Sequence, residues 1–286
     1  MKIEKSALSP GLYFVATPIG AARDITLRAL DILASADVIA AEDTRTAKHL
    51  MRLHGIALGD RPVIAYHDHS GPDVRTRLVG LIGAGKSLCY ASEAGTPLVA
   101  DPGYQLGRAV IDAGLPVTSA PGPSAAIAAL TIAGLPSDRF LFAGFAPTAK
   151  GARRTWLGDV TGLQATAVLY ESPKRLLALL RDIVEVCGAD RRVVVCRELT
   201  KKFEEVLRGS ADELIEALSD RSIKGEIVVL IDRAPEVKAD AATLDEALRD
   251  ALRHQSVKDA SADVAEALNL PKRQVYQAAL ALSKET

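Results

Sequence analysis

The sequence predicts an α/β protein in which helices connect the strands of a sheet. Short apolar runs of strand length alternate with segments of helical spacing, and this pattern restarts after Gly134-Leu135-Pro136. The 286 residues are 48% hydrophobic, which is enough material for two cores. We therefore expect two α/β domains, residues 1–135 and 136–236, followed by a helical extension over residues 237–286.

The first domain is predicted to contain five strands. Between the apolar runs, apolar residues recur at helical spacing, as in Leu27, Leu30 and Leu33, so the helices serve as crossovers. The runs span residues 12–16, 37–41, 62–65, 87–91 and 116–119.

The second domain and the extension follow the same reasoning. Strands are predicted at Phe140–Gly144, Ala165–Tyr170, Val193–Cys196 and Ile227–Ile231, with helices at 150–158, 173–186 and 211–218. The extension has no strand signal, and its last two predicted helices, 257–268 and 272–282, flank a short turn as in a helix-turn-helix unit. It carries 7 Lys and Arg against 8 Asp and Glu, so RNA contact and a packing or dimerising role both stay open.

Composition excludes several classes of protein. Apolar stretches are too short for a membrane helix or a secretory signal, so we expect a cytoplasmic protein with no membrane partner. Three cysteines without C-x-x-C spacing argue against a disulfide framework and a structural zinc site. The net charge is −1, yet residues 145–210 carry 12 Lys and Arg against 8 Asp and Glu, a local basic excess.

Three loops rich in small residues, glycine and proline follow predicted strands. Glycine and proline interrupt regular hydrogen bonding, which leaves backbone groups available while no bulky side chain blocks a ligand. We therefore expect one cofactor pocket at these loops. They span residues 16–20, 92–103 and 119–124.

Two patterns that resemble phosphate-binding and metal-binding motifs are interpreted differently. Residues 80–87 match the phosphate-loop pattern G-x-x-x-x-G-K-[ST], but they end a predicted helix and precede a strand, so Gly85 is interpreted as a helix cap. His67-Asp68-His69 is interpreted as a solvated loop or a substrate contact, because two histidines at i and i+2 of an extended segment face opposite ways. No metal is therefore expected.

Two strand-to-helix junctions carry charged residues. Glu42-Asp43-Thr44-Arg45 is read either as a helix N-cap or as a functional carboxylate and guanidinium at the mouth of the sheet. Lys174 and Arg175 lie in a first helical turn, where the helix dipole favours acids, and their presence there suggests a bound phosphate.

With these segments the chain resembles the tetrapyrrole-methylase fold family, S-adenosylmethionine enzymes with the cofactor between two α/β domains. Within it, the match is to the branch that methylates the 2'-hydroxyl of a cytidine ribose in 16S rRNA. The resemblance implies a homodimer, and the 30S subunit is the expected context of the RNA. It rests on several motifs that cover the chain up to about Asp232, among them Ala16–Gly20, Glu42–Arg45, Tyr66–His69, Ser92–Gly103, Pro121–Ser124, Tyr170–Arg175, Cys196–Lys201 and Lys224–Ile227. Two positions depart from the family's usual residues: Glu93 stands for Asp, and Ser70 for Asn.

The resemblance also implies a set of cofactor contacts, largely through the main chain. These are Pro18, Ser92, Glu93, Ala94, Gly95, Thr96, Leu98, Ala120, Pro121, Gly122, Tyr170, Glu171, Gly225, Glu226 and Ile227. Transfer to a ribose hydroxyl also requires a proton acceptor, and four candidates remain open: Asp24, Asp43, Glu93 and His67. Substrate contacts are predicted at Arg23, Arg45, His69, Lys174 and Arg175, the four cations to meet RNA phosphates.

Two other functions remain open. The same fold and cofactor could methylate a small corrinoid precursor, although such a substrate gives no role to the extension and the basic segment. A non-enzymatic RNA-binding factor would leave the three glycine- and proline-rich loops unexplained.

Overall fold

A computed structural model describes residues 3–67, 70–234, 241–268, 270 and 272–283. The contacts divide the chain into two compact units, Met1–Ala234 and Pro235–Thr286. Across these described ranges, no helix has the length and apolar character that crossing a membrane requires.

The first sheet has five strands in the order β3-β2-β4-β1-β5, and all of its pairings are parallel. The central strand β4 is buried along its whole length. Since the strands are parallel, their carboxyl ends share one edge, and the loops that follow them meet there. The strands are β1 (Gly11–Val15), β2 (Val38–Ala41), β3 (Val63–Ala65), β4 (Ser87–Ala91) and β5 (Val117–Ala120).

The second sheet also has five strands, in the order β6-β7-β10-β8-β9, but it is mixed. Only β6 and β7 pair in parallel, while β10 runs antiparallel to both β7 and β8. The start of β10 therefore lies beside the end of β7, with Ile227 opposite Glu171. The strands are β6 (Phe140–Phe145), β7 (Thr166–Glu171), β8 (Arg192–Arg197), β9 (Glu205–Ser210) and β10 (Ile227–Ile231).

Among the residues that the structure describes, eight helices accompany these sheets. Local sequence chemistry fixes several ends: Asp43 caps α2 by accepting the Arg45 N–H, and Ser210 with Glu213 forms a capping box on α8. Gly85, with φ +87°, closes α3 as a C′ residue, and its N–H donates to the Ile82 carbonyl. The helices are α1 (Leu27–Ser35), α2 (Thr44–Leu53), α3 (Pro72–Gly83), α4 (Tyr104–Asp112), α5 (Ala125–Ala133), α6 (Lys150–Thr161), α7 (Pro173–Cys187) and α8 (Ala211–Leu218).

Two of these elements are absent from the sequence prediction. Helix α5 consists of alanine, isoleucine, leucine and threonine, so it lacks the polar face that reveals an amphipathic helix. Strand β9 is an edge strand with no run of buried residues. Helix α5 packs against the second sheet, where Ala129 and Leu130 join a core with Val228, although it precedes the predicted boundary at residue 135. That boundary stays a prediction.

In its described residues the second unit contains three helices, α9 (Ala241–Ala251), α10 (Val257–Ala267) and α11 (Lys272–Leu282). They share one apolar core, in which Leu248, Val275 and Ala279 are fully buried. The Ser256 hydroxyl caps α10 by accepting the Asp259 N–H at 3.2 Å. Apolar burial and capping thus specify this small helical unit.

Candidate active site

A cavity of about 390 Å³ lies within the unit Met1–Ala234. Loops that follow strands of both sheets line it, and its wall combines apolar side chains with backbone and a few carboxylates. Eight of the fifteen predicted cofactor contacts line this cavity: Ala94, Gly95, Thr96, Tyr170, Glu171, Gly225, Glu226 and Ile227. Ile19, Val99, Ala100 and Asp101, from the loops predicted to form a cofactor pocket, also line it, as do Leu199 and Val228, which were not predicted as contacts.

Hydrogen bonds hold the first-sheet side of the cavity together. Thr17 and Gly95 exchange two backbone hydrogen bonds, each of 2.9 Å, which tie the loop after β1 to the loop after β4. The Ser92 hydroxyl donates to the Gly95 carbonyl at 2.7 Å, and the Thr96 hydroxyl donates to the Pro123 carbonyl at 2.8 Å. Three loops that are distant in sequence thereby become one wall.

The other seven predicted cofactor residues do not line the cavity, and several of them support its wall. Ser92 is buried and acts through its bond to Gly95. Gly122 lies so close to the first loop that a Cβ there would come within 2.9 Å of the Ala16 Cβ. These seven residues are Pro18, Ser92, Glu93, Leu98, Ala120, Pro121 and Gly122.

The loop after β4 has an unusual backbone. Leu98 and Ala100 adopt positive φ values of 71° and 57°, which side chains disfavour. Gly103 has φ +121°, and a Cβ at that position would approach Leu98 and the Tyr90 ring to 3.1 Å. Strained backbone of this kind persists where surrounding contacts impose it, and it is concentrated at functional sites.

Tyr170 and Glu171 end β7 and form part of the opposite wall. Burial raises the pKa of Tyr170, although its hydroxyl contacts the Ala126 N–H and the Ser124 side chain at the start of α5. The Glu171 carboxylate is fully buried, accepts the Ser172 N–H at 2.7 Å and pairs with Arg175 at 3.0 Å. The Arg175 guanidinium also donates to the Ala146 carbonyl, so its contacts are internal.

A cluster of charged residues fixes the loop before β10, and we call Glu198, Lys201 and Glu226 the charged clamp. One Glu198 carboxylate oxygen accepts both the Glu226 N–H and the Lys201 ammonium, each at 2.9 Å. The Glu198 N–H donates to the Glu226 carbonyl at 2.9 Å, and Lys201 also reaches the Glu226 carboxylate at 2.9 Å. The hydrogen bond from Glu226, followed by that from Lys201, lowers the pKa of Glu198.

Glycine is required where the clamp meets its neighbours. Gly225 has φ +93°, and a Cβ there would lie 2.4 Å from the Glu198 carboxyl group. A Cβ on Gly20 would lie 2.6 Å from the Thr200 hydroxyl, which accepts the Ala21 N–H at 3.1 Å. The segment that carries Glu198 therefore contacts both the first loop and the loop before β10. The segment Cys196–Lys201 is among those that carry the family resemblance, but no role was predicted for it.

Comparison with known proteins identifies this arrangement. Residues 11–215 match the model of the "Tetrapyrrole (Corrin/Porphyrin) Methylases". The chain belongs to this family. Residues 238–283 match the "RsmI C-terminal HTH domain", which confirms the helix-turn-helix-like extension. A curated relative, ribosomal RNA small subunit methyltransferase I of Mesorhizobium japonicum, is 43% identical over 98% of this chain and 95% of its own length.

Solved structures share the fold of this methylase at low sequence identity. Cobalt precorrin-4 methyltransferase superposes with a TM-score of 0.59 at 18% identity, covering 77% of this chain and 94% of its own. Uroporphyrin-III C-methyltransferase from Thermus thermophilus, solved with S-adenyl homocysteine, gives a TM-score of 0.53 at 16% identity, covering 77% and 96%. The predicted fold class is thereby confirmed.

The predicted acceptors and substrate contacts occupy different environments in this methylase. Asp24, Glu93 and His67 are exposed. Asp43 accepts hydrogen bonds from the side chain and backbone of Arg45, which lower its pKa to about 2. The interpretation of Glu42–Arg45 as a helix N-cap is thus confirmed at Asp43, and the functional interpretation stays a prediction. Arg23, Arg45 and Lys174 are exposed, whereas His69 lies outside the described residues.

Proposed function

We propose that this chain transfers a methyl group from S-adenosylmethionine to the 2'-hydroxyl of a cytidine ribose in 16S rRNA. The observation that carries the proposal is the cavity itself, which loops of both sheets line and which contains most of the cofactor contacts that the family resemblance implies. The name of the 43% identical relative supports ribosomal RNA as the substrate.

The cavity fits the proposed cofactor in size and chemistry. Its volume of about 390 Å³ falls in the range of small-molecule pockets. Ile19, Val99 and Leu199 offer apolar surface for an adenine ring, and Glu226, whose side chain is 73% exposed, supplies a carboxylate for a cationic group. Gly95 and Gly225 contribute backbone without a side chain to the cavity wall.

S-adenosylmethionine supplies a methyl group that is already activated on a sulfonium sulfur. The residues of the chain must therefore hold the ribose hydroxyl in line with that methyl and accept its proton. Among the four predicted acceptors, Asp43 is least suited, because a carboxylate whose pKa is about 2 and which Arg45 neutralises is a weak base. Glu93 directly precedes Ala94, Gly95 and Thr96 in the cavity wall, and we assign it the acceptor role.

The predicted phosphate contacts divide into two roles. Arg23, Arg45 and Lys174 expose their charges and remain proposed contacts to RNA phosphates. Arg175 instead pairs with the buried Glu171 beneath the cavity wall, so it acts as a positioning residue for that carboxylate. In this proposal the substrate is 16S rRNA within the cytoplasmic 30S subunit, and the enzyme works as a homodimer.

The test uses methyl-labelled S-adenosylmethionine with 30S subunits, naked rRNA or a tetrapyrrole extract. The proposal predicts that label enters the rRNA and is recovered as 2'-O-methylcytidine after digestion. Glu93→Asp should retain most of this activity, while Glu93→Gln should lower kcat by about 100-fold or more. Label on a macrocycle, or none on any substrate, would contradict the proposed reaction.

A further inference from the structure

One face of α2 carries three cations and a histidine, with no carboxylate among them. Arg45, Lys48, His49 and Arg52 stand at positions i, i+3, i+4 and i+7, the spacing that places side chains on one side of a helix. All four are exposed, and the Arg45 side chain is 91% accessible. We call these four residues the basic face of α2. The opposite side of the helix is buried through Ala47, Leu50 and Met51.

Carboxylates compensate little of this charge. The sequence of α2 contains no Asp or Glu; the acidic residues directly before it are Glu42 and the N-cap Asp43, and Asp43 pairs with Arg45 at 2.8 Å. Throughout the described ranges, no ion pair joins Lys48 or Arg52 to a carboxylate. Like charges three or four residues apart on a helix repel one another, so this face is stabilised when it meets an anion.

A hydrogen bond between His49 and Arg52 leaves a further N–H group of the face available as a donor. The Arg52 guanidinium lies 2.8 Å from Nδ1 of His49. Because a guanidinium has only donors, Nδ1 accepts this bond and the hydrogen of the neutral ring is carried on Nε2. The pair therefore offers N–H groups, which suit phosphate oxygens.

The basic face begins at the edge of the sheet where the cavity loops lie. Helix α2 starts directly after β2, at the carboxyl edge of the parallel sheet. The hydrogen bond and the charge of Asp43 raise the pKa of Arg45, and the charge of Glu93 adds to this effect. Arg45 therefore lies near the loop after β4, which carries Glu93. At the other end, the His54 ring contacts the Ala22 carbonyl at 2.9 Å, beside the exposed Arg23. Cationic groups thus follow the helix over roughly 10 Å.

We propose that the basic face of α2 binds the phosphate backbone of the rRNA substrate and guides it toward the cavity. The inference rests on the proposed function and extends the predicted contacts to Lys48, His49 and Arg52. A polyanion is the partner that this exposed face favours, because Lys48 and Arg52 have no carboxylate partner among the described residues and each phosphate contact releases counterions. Arginine and lysine would bind the backbone without reading sequence, which leaves base recognition to the cavity.

The experiment measures binding of purified 30S subunits to wild type and to Lys48→Gln/Arg52→Gln at several salt concentrations. We expect binding on the order of tenfold weaker near physiological salt, and a log–log salt dependence flatter by about 1.4 to 1.8. The KM for 30S subunits should rise while kcat and the calorimetric affinity for S-adenosylmethionine stay unchanged. The exchanged variant Lys48→Arg/Arg52→Lys should bind like wild type.

The matched control is Arg77→Gln/Arg108→Gln. It also removes two exposed positive charges, but Asp73 lies four positions before Arg77, and Arg108 pairs with Asp112 at 3.4 Å. If Lys48→Gln/Arg52→Gln binds 30S subunits with the affinity and salt dependence of this control, the inference is wrong. A wild-type protein that methylates no rRNA would instead contradict the proposed function, so the two failures are distinguishable.

Discussion

The two walls of the cavity are built on different principles. The first-sheet wall, around Ala94–Thr96, consists of small residues held by backbone and hydroxyl hydrogen bonds, such as that from Ser92 to Gly95. The opposite wall, around Gly225, is held by the charged clamp of Glu198, Lys201 and Glu226. The first wall could be predicted from the glycine and proline residues of its loops. The opposite wall could not, because it depends on an ion pair between residues about 25 positions apart in the sequence.

The largest loss of cofactor affinity is expected from a substitution at Gly225, where the charged clamp leaves no space for a side chain. In Gly225→Ala the new Cβ would lie 2.4 Å from the Glu198 carboxyl group, so the clamp must open. We expect affinity for S-adenosylmethionine, measured by calorimetry, to fall by about 100-fold or more, together with the cost of about 1–2 kcal/mol for a positive φ.

Gly188→Ala is the matched control for the conformational cost. Gly188 has φ +90°, close to that of Gly225, but no atom lies within 4 Å of its added Cβ. It should lose stability to thermal unfolding while keeping its cofactor affinity. Equal affinity losses in Gly225→Ala and Gly188→Ala would show that backbone conformation, and not the clamp, is responsible.

A smaller effect is expected when the clamp keeps its shape but loses its charge. Glu198→Gln retains an acceptor for the Glu226 N–H but weakens the contact with Lys201. We expect the KM for S-adenosylmethionine to rise by about tenfold with little change in kcat, since a charged hydrogen bond contributes about 1.5–3 kcal/mol. Glu205→Gln, which weakens ion pairs to Arg221 and Arg197 away from the cavity wall, is the control. An unchanged KM in Glu198→Gln would refute the positioning role.

The first wall should respond more weakly, because its hydrogen bonds are neutral. Ser92→Ala removes the 2.7 Å bond to the Gly95 carbonyl, but the Thr17 N–H still binds that carbonyl. A loss of about 1 kcal/mol, or several-fold in cofactor affinity, is expected. Ser219→Ala, which removes a 2.6 Å bond from a hydroxyl to the Ile215 carbonyl at the end of α8, is the control and should have no effect on calorimetric affinity. A larger loss in Ser92→Ala than in Glu198→Gln would reverse the comparison of the two walls.

The smallest effect is expected for the ion pair between Asp43 and Arg45, where β2 ends and α2 begins. Since the folded pKa of Asp43 is lowered to about 2, its carboxylate stays ionised well below the ordinary range. Its capping contact with Arg45 is therefore present above the ordinary pKa and is lost as pH falls through about 2. Titration by NMR should show this, and Arg45→Gln should return the pKa toward its ordinary value. A midpoint near 4 in the wild type would be inconsistent with the ion pair.

Much of the fold followed from the sequence because each element obeys local rules. Apolar runs predicted nine strands, and loops rich in glycine and proline predicted the first wall of the cavity. Helix α5 was not predicted, because the run Ala125–Ala133 has no polar face. Strand β9 was not predicted, because an edge strand needs no apolar run. The role of Glu198 and Lys201 in the charged clamp was not predicted, because it arises only when folding brings Glu226 beside them.

The most direct test of the account is a calorimetric titration of the wild-type chain with S-adenosylmethionine beside Gly225→Ala and Gly188→Ala. The account predicts saturable binding of one molecule per chain in the wild type and in Gly188→Ala, and its loss in Gly225→Ala. Absence of binding in the wild type, or undiminished binding in Gly225→Ala, would contradict the assignment of the cavity as the cofactor site.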